Sequence, residues 1–221
     1  MNIGGLTSLS TIDFPHHLAA IIYTQGCNFR CPYCHNFQLV DCLEPPISYE
    51  KVHEFLQTRK QIVDGVVITG GEPTLQKELP AFCAWLKRLG FAVKLDTNGT
   101  KPLMLKLLIE KKLVDYIAMD IKAPWDKYQI VTHTSFPIEF IQQSVSFLKE
   151  TGFPCEFRTT VHSGLLTFTD LKKIIYIVGQ NHLFCLQVAR PTPFYKEKNE
   201  YTQEMLKAFI KKFPKYKLEV R

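Results

Sequence analysis

Three cysteines, Cys27, Cys31 and Cys34, lie within eight residues of one another, and their spacing is the most informative chemical feature of the chain. Thiolates are soft ligands that suit zinc or iron–sulfur clusters. Four thiolates complete the coordination of a metal, whereas three can hold three irons of a cubane and leave the fourth open for chemistry. We therefore expect a metal centre in this loop.

The remaining four cysteines are predicted to play other parts. Cys83, Cys155 and Cys185 lie in apolar surroundings, which is typical of small core residues. Cys42 follows Cys34 by eight residues, so it is an alternative fourth ligand.

The bulk composition predicts one globular domain spanning residues 1–221, since 221 residues with 46% apolar and 22% charged side chains suit a single core. The apolar stretches are short, so no membrane-spanning helix or membrane partner is expected. The first five residues have neither a basic start nor an apolar signal core, and with seven cysteines this predicts a cytoplasmic protein. A net charge of +6 without an aromatic-and-basic motif does not predict nucleic-acid binding.

Short apolar runs alternate with helical patterns along the chain. The strand-like runs are 18–24, 65–69, 92–95, 116–121, 155–161 and 184–189, followed by a helix at 204–212 and a strand-like tail at 217–220. Ser48 is a predicted N-cap, and Gly90, Gly152 and Gly179 are predicted helix ends. Such alternation indicates a parallel α/β sheet, and its length favours a partial (β/α)6 TIM-like barrel over a complete eight-fold barrel. An open doubly wound sheet is the alternative.

Polar residues or glycines follow each predicted strand, where ligands bind in parallel α/β folds. They include Gly70, Gly71, Glu72 and Pro73 after the second strand, Asp96 and Asn98 after the third, Asp120 and Lys122 after the fourth, Arg158 in the fifth and Arg190 after the sixth. Each alone has a simpler explanation, a turn for the glycines or a salt bridge between Asp120 and Lys122. Their arrangement beside a thiolate loop favours a functional site.

Six motifs carry a resemblance to a known family over nearly the whole chain. They are NIGGL at 2–6, IDFP at 12–15, TQGCNFRCPYCHN at 24–36, TGGEPT at 69–74, DTNG at 96–99 and DIKAP at 120–124. With them the chain resembles the radical S-adenosylmethionine (SAM) activating enzymes of glycyl radical enzymes, in particular the short type that activates anaerobic ribonucleoside-triphosphate reductase. The resemblance implies a radical SAM type of fold.

The resemblance implies a 4Fe-4S cluster on Cys27, Cys31 and Cys34, with SAM bound to the fourth iron through its amine and carboxylate. It implies that Gly70, Gly71, Glu72 and Pro73 bind the methionyl ammonium, that Lys122 and Arg158 bind the carboxylate or ribose, and that Val161 lines the adenine region. The chemistry of SAM also suits Tyr33 against adenine and Asp96 or Asn98 on the ribose or ammonium. Whether Asp96, Asp120 and Lys122 touch SAM directly stays open.

The implied reaction is reductive cleavage of SAM to methionine and a 5′-deoxyadenosyl radical, which takes a hydrogen from a glycine Cα of a partner protein. Without a second cysteine cluster, the resemblance implies an external reductant such as flavodoxin or ferredoxin. Trp125, Tyr128, Phe194 and Tyr195 are candidates for docking the partner's glycine loop, with loop anchoring as the alternative.

Other functions stay open from the sequence. The chain is alternatively an activase of another glycyl radical enzyme such as pyruvate formate-lyase, or a small radical SAM enzyme acting on a nucleotide or modified base. A non-catalytic zinc module would use the three cysteines with either His35 or Cys42. The roles of His35 and His162 are not assigned by the sequence.

Overall fold

The computed structural model describes residues 1–192 and 195–221. Its eight strands form one sheet in chain order, β1 to β8. The chain divides into two compact units, the first comprising residues 1–28 and 36–117, and the second residues 29–35 and 118–221. Each unit is built from its own strands and helices.

The first unit contains four complete strands: β1 (Ile3–Ser10), β2 (Ala19–Thr24), β3 (Gly65–Gly70) and β4 (Ala92–Thr97). β1 runs antiparallel to β2, whereas β2, β3 and β4 pair in parallel. β2 and β3 are nearly continuous apolar runs, as expected for strands covered on both faces, whereas β4 carries Lys94 and Asp96. A fifth strand, β5 (Tyr116–Asp120), crosses from the first unit into the second.

Four helices belong to the first unit: α1 (Phe37–Val40), α2 (Tyr49–Gln57), α3 (Leu79–Arg88) and α4 (Pro102–Glu110). Ser48 caps α2, because its side chain accepts a hydrogen bond from the Lys51 backbone N–H. Gly90 follows α3 with φ +92°, the left-handed conformation that ends many helices. Both sequence predictions are confirmed.

Part of the first unit's core lies beneath the N-terminal strand pair. Phe14 packs with Ala19, Ile21 and Val67, and the half-buried rings of Tyr23 and Tyr116 pack against this cluster. Phe14 is almost completely buried. The segment between β1 and β2 therefore contributes an aromatic anchor to the core.

The second unit alternates helices and parallel strands. Its elements are α5 (Tyr128–Thr132), α6 (Ile138–Thr151), β6 (Cys155–Val161), α7 (Phe168–Val178), β7 (Leu183–Val188), α8 (Gln203–Ile210) and β8 (Leu218–Val220). β7 pairs in parallel with both β6 and β8. A capping box between Thr167 and Asp170 begins α7, and left-handed Gly152 ends α6.

All six predicted strands are present with their ends shifted by no more than two residues. The sequence prediction missed β1, whose glycines and hydroxyl side chains weaken an apolar strand pattern, and the short helices α1 and α5. Cys83 and Cys185 are buried as predicted, whereas Cys155 is only half-buried. None of the described helices is long and apolar enough to cross a membrane.

Candidate functional site

The predicted site residues fall into two groups. The first unit holds Cys27, Gly70, Gly71, Glu72, Pro73, Asp96 and Asn98, and the second holds Cys31, Tyr33, Cys34, Asp120, Lys122, Arg158 and Val161. Most of them lie at or just beyond the carboxyl end of a strand, as the sequence predicted.

Cys27 lies just after β2, on a segment held by backbone hydrogen bonds to α1. The Gly26 N–H donates to the Leu39 carbonyl at 2.7 Å, and the Cys27 N–H donates to the Val40 carbonyl at 3.1 Å. These bonds fix the backbone that carries the first thiol, so Cys27 lies on an ordered segment.

Gly70 and Gly71 allow the end of β3 to approach the end of β2 very closely. Gly70 has φ +111°, and a Cβ there would overlap the backbone of Thr24. A Cβ on Gly71 would overlap the carbonyl of Gly26. The Gly71 N–H donates to Thr24 O and the Glu72 N–H to Gly26 O, both at 2.8 Å. The close approach of the two strand ends therefore requires glycine at both positions, whether or not a ligand binds there.

The Glu72 carboxylate joins the loop after β3 to the loop after β4. Its Oε1 accepts from the Thr74 backbone N–H, the Thr74 hydroxyl and the Thr97 hydroxyl, and its Oε2 accepts from the Asn98 N–H at 2.7 Å. Glu72 is 1% exposed, and burial raises its pKa despite these bonds. The donors that satisfy Glu72 are internal, so its evident part is to hold the two loops together.

Asn98 takes part in a second network beside this carboxylate. Its side-chain amide donates to Asn28 Oδ1 at 2.8 Å, while its own oxygen accepts from the Thr100 N–H and hydroxyl. The Asn28 amide donates in turn to the Thr100 hydroxyl at 3.0 Å. This network ties the residue after Cys27 to the loop after β4.

Lys94 is a charged residue that sequence analysis did not single out. It is 1% exposed, and its Nζ lies 2.5 Å from Oδ1 of Asp96, two residues along β4. A lysine inside the apolar run of β4 was the signal that could have found it, because a buried ammonium needs a partner.

In the second unit, Cys31 and Cys34 are joined by a tight turn in which the Cys34 N–H donates to Cys31 O at 3.1 Å. The segment is anchored by the Arg30 N–H, which donates to Thr132 O at 2.8 Å. Burial raises the pKa of the Cys31 thiol to about 11, although the positive charge of Lys122 opposes this. Without a metal ion, Cys31 is therefore a thiol at neutral pH.

Tyr33 lies between these cysteines and is 3% exposed. Its hydroxyl makes no hydrogen bond of ordinary geometry to another described residue, although it lies near enough to the Cys31 thiol to favour its ionised form. Buried hydroxyl groups are nearly always hydrogen-bonded, so this one calls for an explanation.

Asp120, Lys122 and Arg158 form one charged group. Asp120 accepts from Lys122 Nζ at 2.7 Å and from Arg158 Nε at 3.0 Å. Burial alone would raise the pKa of Asp120, but the two cations outweigh it and lower the pKa to about 2. Burial would likewise lower the pKa of Lys122, but the Asp120 carboxylate holds it well above its usual range. With two cations and one carboxylate, the three residues carry one net positive charge.

Val161 and His162 lie at the end of β6, and both are buried. The Val161 carbonyl accepts from the Ala189 N–H and from the Asn199 amide, both at 3.0 Å. His162 Nδ1 accepts from the Gly164 N–H at 3.0 Å, so Nε2 carries the proton and donates to the Glu197 carbonyl at 3.1 Å. His162 therefore anchors a loop.

The candidate docking aromatics differ in exposure. Tyr128 is buried, and its hydroxyl accepts from the Lys122 N–H at 3.0 Å, so it is a loop anchor. Trp125 is half-buried and stacks on Tyr128 with ring centroids 5.8 Å apart. The Tyr195 hydroxyl donates to Glu197 at 3.0 Å, and Phe194 lies outside the described residues.

Across residues 1–192 and 195–221, no three side chains of the His, Cys, Asp and Glu types are grouped as ligands of a single metal ion. Ligands of a cubane each bind a different iron, so they lie farther apart than the ligands of one ion. Cys42 and His35, the two alternatives for a fourth ligand of a zinc site, are both exposed.

Comparison with known proteins gives a consistent result. The profile described as "Radical SAM superfamily" matches residues 21–174. A Methanocaldococcus jannaschii protein, provisionally named glycyl-radical enzyme activating enzyme MJ1227, is 35% identical over 200 residues, covering 88% of this chain and 82% of that protein. The pyruvate formate-lyase-activating enzyme of Staphylococcus aureus is 36% identical over 133 residues, covering 55% of this chain and 53% of the enzyme.

Among solved structures, a radical SAM methyltransferase from Sphaerobacter thermophilus superposes with a TM-score of 0.74. The superposition covers 96% of this chain and 68% of the methyltransferase, at 17% sequence identity. At this identity the likeness concerns the fold, and it confirms the α/β fold class of radical SAM type predicted from the sequence.

Proposed function

This chain belongs to the radical SAM superfamily, and from that premise we propose that it generates a glycyl radical on a partner enzyme, which is anaerobic ribonucleoside-triphosphate reductase. The observation that carries the proposal is the 35% identity to MJ1227 over 88% of the chain, together with the three-cysteine loop. We propose that residues 1–221 act as a single radical SAM domain in the cytoplasm.

The superfamily's cofactors are a 4Fe-4S cluster and SAM, which together supply one-electron reductive cleavage of SAM and a carbon radical that abstracts hydrogen. Cys27, Cys31 and Cys34 would hold the cluster, and three thiols are a fitting donor set because iron–sulfur clusters bind thiolates. The buried Tyr33 hydroxyl without a described partner also fits, since it offers a donor to a bound group.

SAM carries a carboxylate, and the charged group of the second unit is suited to it. Lys122 and Arg158 both pair with Asp120, and both are cations of the kind that bind carboxylates, Arg158 through its planar guanidinium. Asp120 would orient both cations and keep them fixed. Tyr33 and Val161 are the apolar surfaces proposed for adenine.

In the first unit, Gly70, Gly71 and Pro73 would present backbone to the methionyl ammonium, and Asp96 would accept from the ammonium or ribose. The Asn98 oxygen already accepts two hydrogen bonds from Thr100, so Asn98 would hold the ribose through its second amide N–H. Glu72 would contribute to SAM binding indirectly, because its carboxylate already accepts from four donors of its own and the neighbouring loop. Its part would be to hold the backbone that SAM meets.

The identity of the partner and of the electron donor is inferred from the motifs of the sequence. The chain spans only about half the length of the pyruvate formate-lyase-activating enzyme that it matches. The 36% identity over that half favours pyruvate formate-lyase as the second candidate partner. Flavodoxin or ferredoxin is the proposed donor, and the chain's +6 charge suits such acidic proteins.

The test is an anaerobic assay of the reconstituted protein with dithionite and SAM. Released 5′-deoxyadenosine is measured first, and electron paramagnetic resonance is then recorded after adding the ribonucleotide reductase or pyruvate formate-lyase in separate samples. We expect a glycyl signal with the reductase only. A signal with pyruvate formate-lyase only would favour the second candidate, and deoxyadenosine without any glycyl signal would overturn both.

A further inference from the structure

The buried ammonium of Lys94 is a charged group for which the proposed function has no use. Lys94 lies in the middle of β4, opposite Val67 of β3 and between buried Val93 and Leu95. A cation that is removed from water among apolar residues destabilises the fold unless a partner compensates for it. The charge of Lys94 therefore needs a compensating group within the protein.

The partner of this ammonium is Asp96, at a distance of 2.5 Å. Residues two apart on a strand project from the same face, so Lys94 reaches along β4 toward the strand's carboxyl end. The Asp96 side chain is 13% exposed there, against 1% for Lys94. The pair therefore connects the interior with the strand end where the proposed SAM contact lies.

We propose that Lys94 is a positioning residue that fixes the Asp96 carboxylate for SAM and supplies its counter-charge from within the protein. A carboxylate can accept about four hydrogen bonds, so Asp96 can pair with Lys94 and accept from other donors at the same time. Supporting residues of this kind determine how accurately a contacting group is held. The inference rests on the proposed assignment of Asp96 to the SAM site.

The test compares SAM affinity of the reconstituted protein with that of two lysine variants. Lys94→Met keeps the length of the side chain and removes its charge. Lys87→Met is the matched control, because Lys87 forms a lysine–aspartate pair with Asp115 at 2.7 Å on the surface of the same unit. By equilibrium dialysis with labelled SAM, we expect the Kd to rise at least tenfold for Lys94→Met and less than twofold for Lys87→Met. Lys94→Arg keeps the positive charge, so its log Kd should lie at least halfway back from the Lys94→Met value to the wild-type value.

A double variant separates positioning from general stability. If Lys94 affects SAM binding only through the Asp96 carboxylate, then replacing Lys94 should not weaken binding further once that carboxylate is absent. The Kd values of Asp96→Asn and Lys94→Met/Asp96→Asn should therefore agree within twofold. Asp96→Asn leaves the Lys94 ammonium without its partner, whereas the double variant buries neither charge. If either single variant does not fold, the double variant is therefore compared with wild type.

Wild-type SAM affinity in folded Lys94→Met, or in the double variant, would overturn the inference. A double variant that binds SAM more than fivefold more weakly than folded Asp96→Asn would also overturn it. Loss of the glycyl radical signal does not enter these measurements. If the wild-type protein binds SAM but activates no partner, the proposed function is contradicted, whereas the inference that Lys94 positions Asp96 for SAM is not affected.

Discussion

At the scale of single residues, the candidate site is governed by charge compensation in buried places. Asp120 bridges two cations, and Lys94 and Asp96 compensate each other. Each pair removes the cost of burying an isolated charge and fixes the orientation of the groups involved. Burial raises the pKa of the Cys31 thiol to about 11, and binding a metal would favour its thiolate form.

Replacing Cys31 by alanine is expected to abolish cluster assembly and SAM cleavage, since two thiolates would remain in the loop. Iron and sulfide per chain and the rate of 5′-deoxyadenosine release measure this. Cys42→Ala is the control and should keep both, because Cys42 is an exposed thiol outside the three-cysteine loop. If reconstituted Cys31→Ala protein cleaves SAM at the wild-type rate, the assignment of Cys31 as a cluster ligand is wrong.

Asp120→Asn is expected to lower the free energy of unfolding by about 2 kcal/mol near neutral pH. The folded-state pKa of Asp120, about 2, lies below the unfolded value of about 3.9, so its stabilisation is present above pH 4 and is lost as pH falls toward 2. Urea unfolding of both proteins between pH 7 and pH 3 should show the difference shrinking at the acid end.

Asp126→Asn is the matched control for this pH series, because Asp126 pairs with Lys173 at 2.7 Å but both side chains are about half exposed. We expect little change in its unfolding curve at any pH. A difference between Asp120→Asn and wild type that stays constant down to pH 3 would contradict the linkage.

At the scale of elements, the ends of the parallel strands are joined by backbone and carboxylate contacts. The ends of β2 and β3 meet through the glycine pair, and the loops after β3 and β4 meet through Glu72. Because these contacts are internal to the first unit, they set the backbone geometry of that part of the site before any ligand binds.

Glu72→Gln is expected to destabilise the protein by about 2 kcal/mol. The amide oxygen can replace Oε1, but the amide nitrogen would then face the Asn98 N–H, leaving two donors opposed. Denaturant unfolding measures the loss, and Glu54→Gln on the exposed face of α2 is the control. Equal stability of the two variants would argue against the Glu72 network.

Gly70→Ala is expected to cost at least about 3 kcal/mol, because strained φ and overlap with the Thr24 backbone add together. Gly90→Ala separates these terms, since Gly90 has φ +92° but no atom within 4 Å of its Cβ position. It should cost only about 1 kcal/mol. Similar unfolding midpoints for both variants would mean that the close approach of β2 and β3 adds nothing.

At the scale of the whole molecule, the similarity to known proteins extends beyond the motifs. Residues 21–174 match the radical SAM profile, and the identity to MJ1227 covers 88% of the chain. The fold is shared with enzymes whose sequences differ greatly, as the 17% identity to the methyltransferase illustrates. The fold and the superfamily follow from these similarities, whereas a partner has to be argued from individual residues and surfaces of this chain.

Trp125→Ala is expected to impair glycyl radical formation on the partner while leaving uncoupled SAM cleavage unchanged. Trp125 is half-buried and stacks on the buried Tyr128, so it offers a fixed aromatic surface. Tyr176→Ala, which removes an exposed aromatic from α7, is the control and should affect neither activity. Equal loss of both activities in Trp125→Ala would indicate that the tryptophan only anchors its loop.

The sequence by itself determined where six strands lie and which loop carries the three closely spaced cysteines. Apolar runs with period and length typical of buried strands located the six strands, and the spacing of Cys27, Cys31 and Cys34 predicts a metal centre, because both are local properties of the chain. β1 escaped prediction because its pairing with β2, rather than its own composition, makes it a strand.

Only the tertiary structure showed which polar residues are hydrogen-bonded or ion-paired within the protein. Glu72 is predicted to bind the ammonium, and the structure adds that its carboxylate accepts from donors of its own and a neighbouring loop. Lys94 lies in no motif, and its pairing with Asp96 is seen only when its burial and its distance to Asp96 are known. Burial and hydrogen-bond partners arise from segments distant in sequence, so no local pattern encodes them.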